Sequence, residues 1–79
     1  MNEILTEVRN IIAGVLHVDP VAVTEGLSVG DVPQWGSMAQ MEIIVALQNK
    51  FGIKIPREDL FDLTSVGDLV AEVEKLRHA

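Results

Sequence analysis

The chain has 79 residues, 48% of them hydrophobic, with twelve acids against six bases, a formal charge of −6 and no cysteine. That length holds one domain at most, expected over residues 1–79, which buries only about 60% of the surface its unfolded form exposes. The composition is too apolar for disorder, lacks cysteine for disulfides or thiolate metal sites, and is too acidic to favour nucleic acid or an anionic membrane surface.

No apolar run approaches the length of a membrane span. The N-terminal MNEILTEVRN has no basic start followed by an apolar stretch, so no signal peptide is expected and the cytosol is the default compartment. Residues 2–16 read as a helix. Ile4, Leu5, Val8, Ile11, Ile12, Val15 and Leu16 form a wide stripe with a period near 3.6, and Glu3, Glu7, Arg9 and Asn10 fall opposite. Gly14 weakens that helix by about 1 kcal/mol relative to alanine and suggests a close approach to a neighbour.

Residues 17–36 are the longest irregular stretch. Asp19-Pro20 has the form of a cap followed by a first-turn proline, and Gly26, Gly30 and Pro33 break any pattern after it. Such a loop is long for a small domain. Val21, Val23, Leu27, Val29 and Val32 are expected to pin it to the core.

Residues 37–51 read as a second helix. Met38, Met41, Ile44, Val45 and Phe51 supply a stripe widened by Ile43 and Leu47, and Gly52 fits a left-handed stop. Ile53 to Pro56 form an extended connector, too short to make a sheet alone. Arg57 to Phe61 suit one short helical turn. Thr64 or Ser65 caps a last helix carrying Val66, Leu69, Val70, Val73 and Leu76, with Lys75, Arg77 and His78 at its negative end. The fold class is all-α: three main helices, a short third helix and a long loop after the first.

An enzyme needs a nucleophile, a base and an organiser in one place. The stock is poor. His17 and His78 stand apart at chain positions suited to solvated side chains. Asp59 and Asp62 lack the alternating oxygens and glycine of a calcium loop, so a solvated acidic face is expected and no metal site. Gly26 and Gly30 precede no lysine in a phosphate-loop context. Ser37 stands where the loop becomes the second helix. Ser37-Met38-Ala39-Gln40 spells a capping box, serine followed three residues later by glutamine. The same position suits a phosphate ester, because a helix N-terminus offers unpaired N–H groups and positive partial charge. Position alone leaves both readings open.

At Ser37 the sequence resembles the acyl carrier protein family. The likeness covers nearly the whole chain and centres on GSMAQMEIIVALQNKFGIKIP, residues 36–56, with Glu42, Ala46-Leu47, Phe51 and Ile55-Pro56 at family spacing. The resemblance implies a small four-helix bundle of acyl-carrier type and a carrier rather than an enzyme. By matched position, Ser37 receives 4′-phosphopantetheine from coenzyme A through a phosphopantetheinyl transferase. The arm's thiol then holds acyl or aminoacyl groups as thioesters for loading and processing enzymes of fatty-acid, polyketide or related biosynthesis. The implied protein is a cytoplasmic monomer that neither binds nucleic acid nor inserts in a membrane. The alternative is an unmodified interaction module of the same fold.

Two departures bear on partners. Gly36 replaces the aspartate common before the serine, removing a carboxylate that the family uses when the transferase docks. Residues 36–55 carry one acid, Glu42, against two bases, Lys50 and Lys54. Partner contacts are therefore expected at Gly36, Met38, Met41, Glu42 and Val45, and to be less electrostatic than is usual in the family. Core packing is the competing role for Met38, Met41 and Val45. Pro33-Gln34-Trp35 before the serine resembles carriers of dedicated pathways, and Trp35 is expected to anchor the loop end. An apolar gap is expected between the second helix and its neighbours, where the resemblance implies that an acyl chain is partly sheltered; Ile44, Leu47, Ile55, Phe61 and Leu69 are its candidate lining, with ordinary core packing as their competing role.

Overall fold

The computed structural model describes residues 3–77. Helix α1 spans Glu3–Leu16, α2 Ser37–Phe51 and α3 Val66–Arg77. A 3-10 turn covers Pro20–Ala22 and a 3-10 helix covers Arg57–Asp62. The expected Asn2 start and His78 lie outside the described residues. Among the described residues no helix is long and apolar enough to cross a membrane.

The period of α1 does what its stripe predicts. Val8, Ile12, Ala13 and Leu16 are buried and pack with Ile43, Ile44 and Leu47 of α2 and Val66, Leu69, Val70 and Val73 of α3. Burying such side chains contributes roughly 1.5–3 kcal/mol each and is the main source of stability for a bundle without staples. Gly14 is exposed, with open space around it, so no close approach explains it.

The helix ends follow local chemistry. Asp19 caps the first 3-10 turn by accepting from the Val21 N–H at 2.9 Å. Gly52 ends α2 with φ 63°, in the left-handed region where a side chain is strained. Ser65, rather than Thr64, caps α3. Its Oγ accepts from the Asp68 N–H at 3.1 Å, and the Asp68 carboxylate accepts from the N–H groups of Thr64 and Ser65. This is a reciprocal capping box.

The long loop is held differently from expectation. Val23 is buried and Leu27 and Val32 pack at the core edge, but Val21 and Val29 are exposed. Backbone bonds do the rest: Val29 N–H to Thr64 O, Val66 N–H to Leu27 O and Gly67 N–H to Glu25 O, with an antiparallel bridge between Ser28 and Ser65. The chain thus makes one strand-like pairing where none was expected. Arg9, read as part of a polar face, donates to Val23 O at 2.7 Å and Pro20 O at 2.9 Å. It ties the loop to α1.

Candidate functional site

The loop turns back on itself just before α2. The Gly30 N–H bonds Trp35 O, the Trp35 N–H bonds Val32 O, and Asp31 accepts from the Ser28 N–H. Trp35 is 1% exposed. Its indole Nε1–H donates to Gln40 Oε1 at 2.8 Å, and Gln40 Nε2 donates to Leu63 O at 2.7 Å. The expected anchor is therefore present and extends to the junction before α3.

This relay changes the role of Ser37. Gln40 is spent on Trp35 and Leu63, so the expected capping box does not form. Gly36 is the N-cap, in extended backbone with φ −109°, and no side chain caps the helix. Ser37 is the first helical residue and is exposed. Its hydroxyl bonds no described residue. The first intrahelical bond is Gln40 N–H to Gly36 O at 3.0 Å. The N–H groups of Ser37, Met38 and Ala39 are thus left without intrahelical acceptors, as at every helix start. A phosphate esterified to Ser37 would meet these dipoles in a favourable sense.

The apolar residues of α2 fall on two faces. Ile43, Ile44 and Leu47 point into the core, whereas Met38, at 81% exposure, Met41 and Val45 point outward. Glu42 and Gly36 are also exposed. The single expected stripe is two faces, and the outward one lies beside Ser37. From Ser37 a groove of about 430 Å³ runs between α2 and the 3-10 helix, lined by Met41, Ile44, Arg57, Leu60 and Phe61 among others. A second, of about 510 Å³, continues past Ile55 and Lys54. Leu47 and Leu69 do not line either groove; both are fully buried in the core. Phe61, at 85% exposure, flanks the first groove.

The other candidates stay apart. His17 is exposed at the end of α1 with φ 58°. Asp59 binds Lys75 Nζ at 3.2 Å, and Lys75 also pairs with Glu72 at 3.2 Å. Asp62 is exposed. Glu72 was not anticipated: it is 7% exposed and its Oε2 has no hydrogen-bond partner among the described residues. Burial, and then the facing Asp59, push its carboxyl above the usual range. Hydrogen bonds from Glu72 and then Lys75 hold Asp59 below its ordinary value. Among the described residues no group of three or more histidine, cysteine, aspartate or glutamate side chains could hold a metal ion.

Residues 36–73 match the model of the phosphopantetheine attachment site. Over 74 residues the chain is 39% identical to an acyl carrier protein of Rhodococcus erythropolis, covering 94% of this chain and 81% of that one. The chain belongs to the acyl carrier protein family. It is also 39% identical to the meromycolate extension acyl carrier protein of Mycobacterium tuberculosis, of which it spans 64%. The solution structure of holo acyl carrier protein from Geobacter metallireducens superposes with a TM-score of 0.81 at 32% identity, covering 91% of this chain and 83% of that one.

The family's cofactor is covalently attached 4′-phosphopantetheine, and the chain has what that group needs: an exposed, unbonded hydroxyl at a helix N-terminus. An unmodified interaction module is not favoured by these likenesses. Sequence reasoning gave Gln40 to a cap and Arg9 to a polar face, and passed over Glu72; Leu63, Val23 and Asp59, which these side chains meet, lie elsewhere in the fold. It also passed over Arg57, whose only signal was a base opening a short segment otherwise rich in acids.

Proposed function

We propose that this protein is a carrier, not a catalyst, and that Ser37 is the residue bearing its 4′-phosphopantetheine arm. The supporting observation is the Ser37 hydroxyl itself: exposed, first in α2, and free of hydrogen bonds to any described residue. In the loading step Ser37 Oγ bonds to the phosphorus next to the pantetheine of coenzyme A. The bond from that phosphorus to the adenosine 3′,5′-bisphosphate breaks, and the hydroxyl proton passes to a base on the transferase. The arm's terminal thiol holds acyl or aminoacyl groups as thioesters. The chain's own part is to present the serine, orient the phosphodiester at the helix N-terminus, and offer a groove beside it. A tethered cargo reaches successive enzymes at high effective concentration.

The partners are a phosphopantetheinyl transferase and acyl-loading and acyl-processing enzymes of fatty-acid, polyketide or related biosynthesis, meeting a cytoplasmic monomer. They dock on the outward face of α2 through Gly36, Met38, Met41, Glu42 and Val45. That face is apolar with a single acid, so docking is driven by desolvation of the methionines and valine more than by charge. Coexpression with a broad-specificity transferase and intact-mass measurement is the test. A gain of one phosphopantetheinyl unit, abolished by Ser37→Ala, is the expected result. No gain with several transferases would leave an unmodified interaction module.

A further inference from the structure

Six cations lie among the described residues, and four are engaged. Arg9 donates to two carbonyls, Lys50 faces Glu7 at 3.5 Å, Lys75 binds Asp59 and Glu72, and Arg77 sits 5.6 Å from the centroid of Phe51. Lys54 and Arg57 have no ion pair, side-chain hydrogen bond or ring contact with any described residue. Both line the grooves beside α2: Arg57 borders both, and Lys54 borders the second. No acid borders either groove, in a chain whose charge is −6.

The two grooves share Met41, Ile44, Arg57 and Leu60, so they form one path. It starts at Ser37 and passes Gln48, roughly 16 Å along α2 at 1.5 Å per residue. Its first part is apolar except for Ser37, Gln40, Thr64 and the lone charge of Arg57. A hydrocarbon cargo would need only the apolar walls. A carboxylate seated in this open groove meets one cation of complementary charge, Arg57, whose side chain is exposed at the rim. Arginine supplies a planar fork that binds a carboxylate through two hydrogen bonds.

Resting on the reading of Ser37 as the attachment residue, we propose that the cargo is a dicarboxylic acyl thioester whose free carboxylate is held by Arg57, with Lys54 at the exit of the groove. The phosphodiester of the arm is an anion too. It is bonded directly to Ser37 Oγ, so it stays at the N-terminus of α2, at the head of the path.

The test loads the full chain from coenzyme A, from hexanoyl- and octanoyl-coenzyme A, and from the adipoyl and suberoyl derivatives of equal carbon number. Complete loading of each sample is verified by intact mass. Thermal midpoints and ¹H–¹⁵N spectra, including the Arg57 Nε–H, are then compared at neutral pH. The expected result is a midpoint about 3 °C higher for at least one dicarboxylic cargo than for its matched monocarboxylic one. The Arg57 Nε–H and the amides of Leu60 and Phe61 shift only in that sample. Arg57→Gln abolishes the difference, and Arg57→Lys keeps part of it. Equal behaviour of the matched pairs overturns the proposal. So does a difference that survives in both Arg57→Gln and Lys54→Gln, or an Arg57 shift produced in full by the unacylated arm. Failure of any mass gain at Ser37 overturns the underlying carrier reading instead, before any cargo is compared.

Discussion

The indole N–H of Trp35 and the side-chain carbonyl of Gln40 are joined at 2.8 Å across the start of α2, with Ser37 between them in the chain. Gln40 continues the link to Leu63 O at 2.7 Å. The turn that presents Ser37 is thereby fastened to the junction before α3. Replacing Gln40 with alanine strands a buried indole N–H and a carbonyl. The expected loss is about 2 kcal/mol, because an unsatisfied buried group costs roughly 1–3 kcal/mol. Denaturant titration measures it. Transferase modification of the Gln40→Ala variant should slow while Ser37 stays exposed, and an unchanged rate would show that the brace does not position the serine.

Gly36 is a second control point. Its φ of −109° suits any residue, and a side chain added there meets no atom within 4 Å. Gly36→Asp therefore fits without rearrangement. Aspartate is a slightly better N-cap than glycine, by a few tenths of a kcal/mol. It also restores the carboxylate that the family resemblance associates with transferase docking. The variant should be modified faster than wild type by a general transferase, mainly through a lower KM for the carrier, with a thermal midpoint equal or slightly raised. Equal KM values for both proteins would show that Gly36 is no obstacle.

How much of this was legible in the sequence depends on the range of the interaction. The burial of Val8, Ile12 and Leu16 follows from helical period alone, and the stop at Gly52 and the start at Asp19-Pro20 follow from local backbone chemistry. The α2 stripe was harder. Met38 and Ile44 are both apolar letters, and only the packing of the other helices, α1 above all, decides which one is covered. The Ser37-to-Gln40 spacing spelled a local cap, yet a tryptophan five residues before the glutamine claimed it. Arg9 with Val23 and Asp59 with Lys75 are pairs fourteen and sixteen residues apart. Periodicity is blind to such pairs, which is why the loop clamp and the Glu72 cluster emerged only with the fold.

Two carboxyls set opposite pH dependences. Hydrogen bonds, first from the Thr64 N–H, hold Asp68 below its ordinary 3.8, so its stabilising effect is present above that value and is lost as pH falls through the lower folded one. Glu72 is raised above 4.5 by burial and by Asp59, so its favourable protonation is present below that value and fades as pH rises through the higher folded one. Stability should therefore pass through a maximum on the acid side of neutral. Glu72→Gln keeps the shape, removes the buried charge and lets an amide face Asp59. It should stabilise the protein at pH 7, because a carboxyl raised by burial and by Asp59 is disfavoured in its charged form in the fold. It should also flatten the rise between neutral and mildly acid pH. Asp68→Ala should instead cost about 1 kcal/mol at pH 7 through loss of the cap and blunt the fall in strong acid. Thermal melts across pH 3–8 distinguish the two.

The end of α1 holds two correctable weaknesses far in sequence from Ser37. Gly14 lies inside the helix, exposed, and a methyl group there would touch nothing within 4 Å. Gly14→Ala should gain about 1 kcal/mol from reduced backbone freedom in the unfolded chain. His17 adopts φ 58° so that the Val18 N–H can close on Ala13 O at 3.1 Å. A side chain in that region costs roughly 1–2 kcal/mol relative to right-handed backbone, and glycine is exempt. His17→Gly should therefore stabilise, by less than that range because glycine also frees the unfolded chain. In a domain of this size each kcal/mol moves the thermal midpoint by about 4–8 °C. Calorimetry on both single variants and the double variant checks the size and additivity of the gains. A lower midpoint for His17→Gly would mean that the left-handed ending of α1 is not the state populated in solution, and with it the entry angle of the loop that leads to Ser37.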